Sequence, residues 1–181
     1  NILLILYNMK FLGLITRCKD EFFVKEFVNY YLSQGVDHIY ILDDNSINRS
    51  YYEGINNNVT IIYDKVTSKA HDTKCIRSCR CNRIIASELY KKIRYNFEWI
   101  IYCDVDEFIT TKRNLQRTIR DELETTFKDV DCIKIPWVMM ASNNRDKNPK
   151  SILLENTYRW DHDKKHDSNN INKFRCRYKS I

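Results

Sequence analysis

The chain has 181 residues with 30 basic and 24 acidic side chains, a formal net charge of +6, and only three glycines and two prolines. This length suits one domain with a sizeable core, and the scarcity of glycine and proline excludes a disordered or linker-like chain. The mixed charge permits an anionic ligand without indicating nucleic acid. Seven cysteines, an odd number spread over the sequence, do not form a secreted disulfide framework, so we expect reduced thiols and a cytoplasmic protein.

The first eight residues contain no functional motif. Residues 2–7 are apolar, but a membrane-spanning helix needs about 20 apolar residues. These residues also lack the basic flank and cleavage site of a signal peptide. We therefore expect no transmembrane segment, and we treat residues 1–8 as an upstream extension and residues 9–181 as one domain.

From residue 10 onward the chain alternates strand and helix patterns. Residues 10–16 (KFLGLIT) predict a strand buried on both faces, because apolar and polar residues do not alternate. We expect Asp20 to cap the following helix and Gly35 to end it. The apolar positions of this helix recur at helical spacing: Phe23, Phe27, Tyr30 and Tyr31.

The middle of the chain predicts two further strands and a long helix. The strands cover residues 38–42 and 59–63, and each is followed by polar residues. Residues 72–95 contain no helix breaker and are rich in helix formers. The expected inner face of that helix consists of Ile76, Ile84, Ile85 and Leu89.

A fourth strand is predicted in the apolar run that begins at Trp99 and leads into Asp104 and Asp106. Side chains two residues apart in an extended chain point the same way, so both carboxylates should face one side and Val105 the other. Residues 114–127 then predict a charged amphipathic helix, and residues 132–137 another strand. Alternating strands and helices predict an α/β fold with a mostly parallel, Rossmann-like sheet flanked by helices.

Acidic residues follow several of the predicted strands. Asp43 and Asp44 follow the second strand, Asp64 the third, and Asp104 and Asp106 the fourth. Because ligands of parallel α/β sheets bind beyond the carboxyl ends of the strands, these acids should share one edge of the sheet. Converging carboxylates favour a hard divalent cation such as Mn²⁺ or Mg²⁺. The alternative for the last pair, taken alone, is a solvated acidic turn.

Four stretches in this order resemble nucleotide-sugar-dependent glycosyltransferases of the GT-A fold: TRCKDE (16–21), ILDDNS (41–46), WIIYCDVDEF (99–108) and IPWVMM (135–140). The resemblance is strongest to the family 2 and family 92 types, which have a DxDEF form of the aspartate (DXD) motif. It implies a GT-A domain with a nucleotide-sugar half at about 9–110 and the start of an acceptor half at about 111–181, where related chains continue further.

The resemblance also implies an activity. Such enzymes transfer a sugar, usually from a UDP-sugar and with Mn²⁺ or Mg²⁺, to a hydroxyl of a glycan, lipid or protein, and these types invert the anomeric carbon. Asp44, with Asp43 beside it, would accept a hydrogen bond from the nucleobase or ribose. Thr16 and Glu21 match the start of the nucleotide-sugar pocket.

The same resemblance assigns roles around the aspartate motif. Asp104 would approach the ribose and the metal, and Asp106 would bind the cation that coordinates the diphosphate. Glu107 would orient a basic side chain, or else it is a surface glutamate. Arg80 and Asn82 lie on the preceding helix where such enzymes place nucleotide-sugar contacts. The alternative for these two is a solvated basic helix.

Three other features leave alternatives open. Trp137 suits stacking on a sugar ring or packing in the core. A zinc site at Cys75, Cys79 and Cys81 is disfavoured because Cys81 would point away from the other two on a helix. The catalytic base should be a carboxylate beyond the aspartate motif, and the candidates are Glu155, Asp161 and Asp163.

Two other functions remain as alternatives. A nucleotidyltransferase of similar fold is one, but such enzymes have a glycine-rich basic loop after the first strand and RCKDE contains no glycine. A non-catalytic basic binding module for nucleic acid is the other, and the acids at the strand ends argue against it. We expect no nucleic acid among the partners.

Overall fold

Four strands form the central sheet of the protein. They span Lys10–Cys18 (β1), His38–Asp43 (β2), Val59–Tyr63 (β3) and Phe97–Tyr102 (β4). All neighbouring pairs are parallel, and the strands lie in the order β3-β2-β1-β4. The computed structural model describes residues 9–63, 80–111, 116–159 and 178–180, with the backbone alone for 80–85 and 178–180. The predicted α/β fold with a parallel sheet flanked by helices is confirmed.

Four helices and a second, smaller sheet complete the described part. The helices are Val24–Ser33 (α1), Arg80–Ile93 (α2), Ile119–Thr125 (α3) and Ile152–Glu155 (α4), with a 3₁₀ helix at Arg49–Tyr52. Strands Lys134–Pro136 (β5) and Tyr178–Ser180 (β6) pair in antiparallel fashion. Within the described residues no helix combines the length and apolar character needed to cross a membrane.

Apolar side chains pack against both faces of the central sheet. Successive residues of a strand point to opposite faces, so Leu14 joins the cluster under α1 and α3, whereas Ile15 joins the cluster under α2. Phe27 and Tyr31 of α1 are completely buried in the first cluster. Burial of a large apolar side chain contributes about 1.5 to 3 kcal/mol. The two clusters explain why β1 is apolar on both faces.

The turn after α1 brings α3 against the amino end of β1. Gly35 has a φ of +88°, and a Cβ at this position would lie 2.6 Å from Cβ of Arg120. Only glycine fits this turn without strain. Two amides, those of Phe11 and Leu12, each donate to Asp37 at 2.9 Å, and Arg120 donates to the same carboxylate at 2.8 Å. The prediction that Gly35 ends the helix is therefore confirmed.

Three predicted boundaries differ from the structure. Asp20 does not cap α1: its backbone is left-handed, with φ of 52°, and its carboxylate accepts a hydrogen bond from the Asn48 amide at 2.8 Å. The helix predicted from residue 114 begins only at Ile119, because Thr118 and Asp121 form a capping box. Strand β5 covers three residues of the predicted six. A hydrogen bond from a distant segment engages Asp20 instead of the helix, whereas a capping box between residues three apart sets the start of α3.

The remaining elements match their predictions closely. Strand β3 has the predicted bounds, and β1 and β2 each extend slightly further toward their carboxyl ends. Helix α2 lies inside the predicted range 72–95, of which residues 72–79 fall outside the described residues. Leu89, from the expected inner face, is half-buried against the cluster under α2. Ile76 and the side chains of Ile84 and Ile85 are not described.

Candidate functional site

The strand order creates a candidate ligand site between the ends of β1 and β4. β1 lies between β2 and β4, so the order of connection reverses at this point, and parallel α/β sheets bind ligands where the order reverses. Ile15 pairs with Tyr102, and the Cys103 amide donates to the Ile15 carbonyl at 3.3 Å. The segments after β1 and β4 therefore border this site.

Asp43, at the end of β2, is buried and fully engaged by donors. Its side chain has 0% exposure. The Tyr52 hydroxyl donates to it at 2.7 Å, the Ser46 amide at 3.3 Å, and Nη2 of Arg49 lies 3.9 Å away. Burial raises the pKa of Tyr52, so its hydroxyl stays protonated and keeps donating. Asp43 thus holds the loop that follows β2 onto the sheet.

Asp44 is also buried, with 5% exposure, and it forms an ion pair with Arg17 of β1. Its backbone amide donates to the Cys18 carbonyl at 2.9 Å, which extends the contact between β2 and β1 by one residue. The Arg17 side chain is 36% exposed. In this conformation the carboxylate predicted to receive a nucleobase or ribose is bound to Arg17.

The loops after β1 and β2 are tied to each other by hydrogen bonds. The Asp20 amide donates to Oγ of Ser46 at 3.0 Å, and the Asn48 amide donates back to Oδ1 of Asp20 at 2.8 Å. The carboxylate predicted to cap α1 therefore serves this loop instead. These contacts hold residues 19–21 at the carboxyl edge of the sheet.

The turn of residues 103–109 after β4, called the acid-bearing turn below, differs from the loop after β2 in the exposure of its aspartates. Asp104 and Asp106 are exposed, whereas Val105 between them is 5% exposed and belongs to the cluster under α1. The Asp104 amide donates to Oε2 of Glu107 at 2.9 Å, and the Glu107 amide donates to the Asp104 carbonyl at 3.0 Å. The predicted alternation of buried and exposed side chains continues beyond Tyr102, where β4 ends. Glu107 orients the turn through the backbone amide of Asp104, and its contact with a basic side chain stays a prediction.

Glu21 brings the segment after β1 into electrostatic contact with this turn. Burial raises the pKa of Glu21 above its ordinary value of 4.5, and the negative charges of Asp106 and Asp20 raise it further. The effect of Asp106 requires that the two carboxylates lie near each other. The charges of acids from two separate loops therefore act on each other at the carboxyl edge of the sheet.

The other predicted site residues lie in varied surroundings. Thr16 is completely buried within β1, and Trp137 is half-buried directly after β5. Arg80 and Asn82 occupy the first turn of α2, where the backbone alone is described. Several predicted positions lie outside the described residues: Asp64, Cys75, Cys79, Asp161 and Asp163. The cysteines whose side chains are described, Cys18, Cys103 and Cys132, are not joined in disulfide bonds.

Glu155, a candidate base, holds its own loop together. Its carboxylate accepts hydrogen bonds from the amides of Lys150 at 2.8 Å and Ser151 at 3.2 Å. Nη1 of Arg145 lies 3.3 Å from the other carboxylate oxygen. These contacts assign Glu155 a structural role at the start of α4, and its role as the base stays a prediction.

Protein side chains alone do not form a closed metal site in the described part of the chain, where no group of three or more His, Cys, Asp or Glu could hold an ion. Mg²⁺ binds in proteins through one or two carboxylates together with water and phosphate oxygens. The two exposed carboxylates of Asp104 and Asp106 are hard oxygen ligands of this kind. The chemistry of these side chains therefore fits a cation held jointly by protein and diphosphate.

Sequence reasoning missed the partners of the buried acids. Arg17 stands inside the quoted RCKDE motif, and its position at the end of β1, level with the acids of β2, could have indicated an ion pair. Tyr52 and Arg49 lie in a polar segment with no periodic pattern, so no local signal points to them. Their role follows from the return of this segment over Asp43.

No protein-family model matches the sequence, and no curated protein or solved structure matches the chain.

Proposed function

We propose that this protein is a metal-dependent glycosyltransferase that moves a sugar from a nucleotide-sugar, with a UDP-sugar as the first choice, to the hydroxyl of a glycan, lipid or protein acceptor. The observation that supports this most is the exposed pair Asp104 and Asp106 after β4, beside the point where the strand order reverses. Nucleotide ligands bind at such points in parallel α/β sheets. Acids at this position can receive a diphosphate only together with a cation, which agrees with the DxDEF resemblance.

Asp104 and Asp106 would hold Mn²⁺ or Mg²⁺ with the diphosphate. The raised pKa of Glu21, caused first by burial and then by the charge of Asp106, supports this because crowded carboxylates attract a cation. When bound, the cation neutralises the charge that develops on the departing diphosphate. Glu21 then faces the same charge cluster from the side of β1.

Asp44 and Arg17 would serve the nucleotide together. The buried Asp44 carboxylate accepts a uracil N–H or a ribose hydroxyl once Arg17 moves away from it. The released guanidinium, on a side chain already 36% exposed, is a suitable partner for a phosphate oxygen. The ion pair thus keeps both groups at the site before the nucleotide arrives.

The transfer itself needs a base for the acceptor. A carboxylate takes the proton of the acceptor hydroxyl, the oxygen attacks the anomeric carbon, and the bond to UDP breaks with its electron pair leaving on the diphosphate. Attack from the face opposite to UDP inverts the anomeric carbon. Glu155, Asp161 and Asp163 stay the candidates for this base.

Calorimetric titration with UDP, with and without MnCl₂, tests the proposal. We expect binding that requires Mn²⁺ and that is lost in Asp106→Asn. Asp129→Asn is the matched control, since it removes the same charge from a side chain that is 86% exposed and lies after α3. UDP binding that is independent of Mn²⁺, or equal losses in both variants, would contradict the proposal.

The same preparations separate the two alternatives. Salt-sensitive RNA binding without any UDP signal would indicate a basic binding module. Release of pyrophosphate from UTP in the presence of a sugar 1-phosphate would indicate a nucleotidyltransferase. Hydrolysis of individual UDP- and GDP-sugars by the wild-type protein identifies the sugar that the glycosyltransferase prefers.

A further inference from the structure

The hydroxyl of Tyr31, in the last turn of α1, binds the acid-bearing turn at three points. It donates to the Glu107 carbonyl at 2.9 Å and accepts from the Ile109 amide at 3.1 Å. The Cys103 thiol lies 3.5 Å from the same oxygen. Tyr31 is completely buried, so water cannot replace these partners. One hydroxyl therefore contacts the residues before and after Asp104 and Asp106.

Aromatic packing reinforces this connection between α1 and the turn. The Phe108 ring stacks on Tyr31, with the ring planes 8° apart and the centroids 6.5 Å apart. Phe27 and Tyr30 contact Phe108 edge-on at 6.0 Å and 5.2 Å. The Tyr30 hydroxyl donates to the Ile109 carbonyl. Three rings of one helix thus hold the aromatic residue that follows the acids.

The acids themselves take no part in these contacts with α1. The side chains of Asp104 and Asp106 are exposed. The backbone around them is fixed by the hydrogen bond from the Tyr31 hydroxyl to the Glu107 carbonyl and by the hydrogen bond from the Asp104 amide to the Glu107 carboxylate. Burial raises the pKa of Tyr31 above its ordinary value of 10.0, so the hydroxyl stays protonated as a donor. A backbone fixed in this way presents two carboxylates in one geometry before any ligand binds.

We propose that Tyr31 is a positioning residue for the metal and diphosphate site, because it holds the 103–109 turn in the geometry in which Asp104 and Asp106 bind the cation. This inference rests on the proposed function and deepens it. Tyr31 does not touch the ligand; it acts through the backbone of the turn. Outer partners of metal ligands commonly change metal affinity by about 10- to 100-fold.

The test compares Tyr31→Phe with Tyr40→Phe. Both changes remove one tyrosine hydroxyl, but Tyr40 lies in β2 and packs on the sheet face that is covered by α2. Two quantities are measured: hydrogen–deuterium exchange of the peptide covering residues 103–109, and the Mn²⁺-dependent affinity for UDP. We expect faster exchange and about tenfold weaker UDP binding for Tyr31→Phe. Tyr40→Phe should match the wild type in both.

Either of two results overturns the inference. Unchanged exchange of residues 103–109 in Tyr31→Phe means that the hydroxyl does not hold the turn. Faster exchange with unchanged affinity means that the geometry of the turn does not matter for the ligand. If the wild-type protein itself shows no Mn²⁺-dependent UDP binding, the proposed function fails, while Mn²⁺ titration alone and the exchange data still decide whether Tyr31 positions the acids.

Tyr30→Phe provides a second variant in case Tyr31→Phe does not fold. Tyr30 is half-buried, and its hydroxyl donates to the Ile109 carbonyl and also hydrogen-bonds the side chain of the neighbouring Thr110. We expect changes of exchange and affinity in the same direction and of smaller size. Wild-type values for both quantities in Tyr30→Phe would overturn the inference when Tyr31→Phe cannot be purified.

Discussion

Two aspartate pairs stand at the same edge of the sheet and have opposite surroundings. Asp43 and Asp44 at the end of β2 are buried and bound by donors from Tyr52, Ser46 and Arg17. The pair after β4, Asp104 and Asp106, is exposed. A carboxylate is buried at little cost only when donors satisfy it, whereas an exposed carboxylate is solvated by water. The same residue type therefore stabilises the fold in one loop and is presented to solvent in the other.

The difference arises from the segment that follows each strand. After β2 the chain forms a 3₁₀ helix that folds back and places Tyr52 and Arg49 over Asp43. After β4 the chain closes a tight turn through the backbone of Asp104 and the carboxylate of Glu107. Hydrogen bonds within the turn and with the Tyr31 hydroxyl engage its backbone, and the side chains of Asp104 and Asp106 are exposed.

The largest effect is expected from two alanine variants that compare the buried aspartate pair with the exposed one. Asp43→Ala removes a buried acceptor from the Tyr52 hydroxyl and the Ser46 amide, so we expect the free energy of unfolding to fall by about 3 kcal/mol. Asp104→Ala changes an exposed side chain and should stay within about 0.5 kcal/mol of the wild type. Urea unfolding followed by circular dichroism measures both. Equal losses in the two variants would remove the distinction between the pairs.

A second test removes only the ion pair between Arg17 and Asp44. Arg17→Leu leaves the Asp44 carboxylate without its cation, and we expect a loss of about 1 to 2 kcal/mol, less than for a fully buried pair because Arg17 is partly exposed. Lys19→Leu removes the same charge from an exposed position two residues away and is the control. Thermal unfolding at matched ionic strength compares them, and a loss as large in Lys19→Leu would point to net charge instead of the pair.

The smallest expected effect concerns the pKa values of two acids, Asp37 and Glu21, which are shifted in opposite directions. Burial acts to raise the pKa of Asp37, but the Leu12 amide and Arg120 outweigh it and hold the pKa below its ordinary value of 3.8. Burial and the nearby charge of Asp106 raise the pKa of Glu21 above 4.5. Carboxyl ¹³C NMR of the folded protein should show the two titrations displaced in opposite directions.

These directions fix the sign of the pH effects on stability. The contribution of Asp37 is present above pH 3.8 and is lost as the pH falls through its lowered folded-state pKa. The contribution of protonated Glu21 is present below pH 4.5 and is lost as the pH rises through its raised folded-state pKa. Asp106→Asn should bring the pKa of Glu21 closer to 4.5. An unchanged pKa of Glu21 in that variant would show that the charge of Asp106 does not act on Glu21.

Sequence patterns predicted the structure correctly where an apolar run or a strong backbone preference of one residue type was present. The apolar runs located all four parallel strands, and Gly35 was recognised as a helix end because a left-handed turn favours glycine. The predicted orientation of Asp104 and Asp106 to one side and Val105 to the other matches their burial, although the three residues lie in a turn beyond β4. The cap at Asp20 was wrong, because the local preference lost to a hydrogen bond from Asn48, 28 residues away in sequence.

The sequence by itself determined the parallel α/β sheet and the presence of acids at the ends of its strands, since both depend on short-range periodicity. Only the tertiary structure decided which acids are buried and which are exposed. That outcome depends on contacts between distant segments: Tyr52 over Asp43, Arg17 beside Asp44, and Tyr31 beneath the turn with Asp104 and Asp106. Hydrogen bonds of this kind form only when the sheet brings the segments together, so no local pattern encodes them.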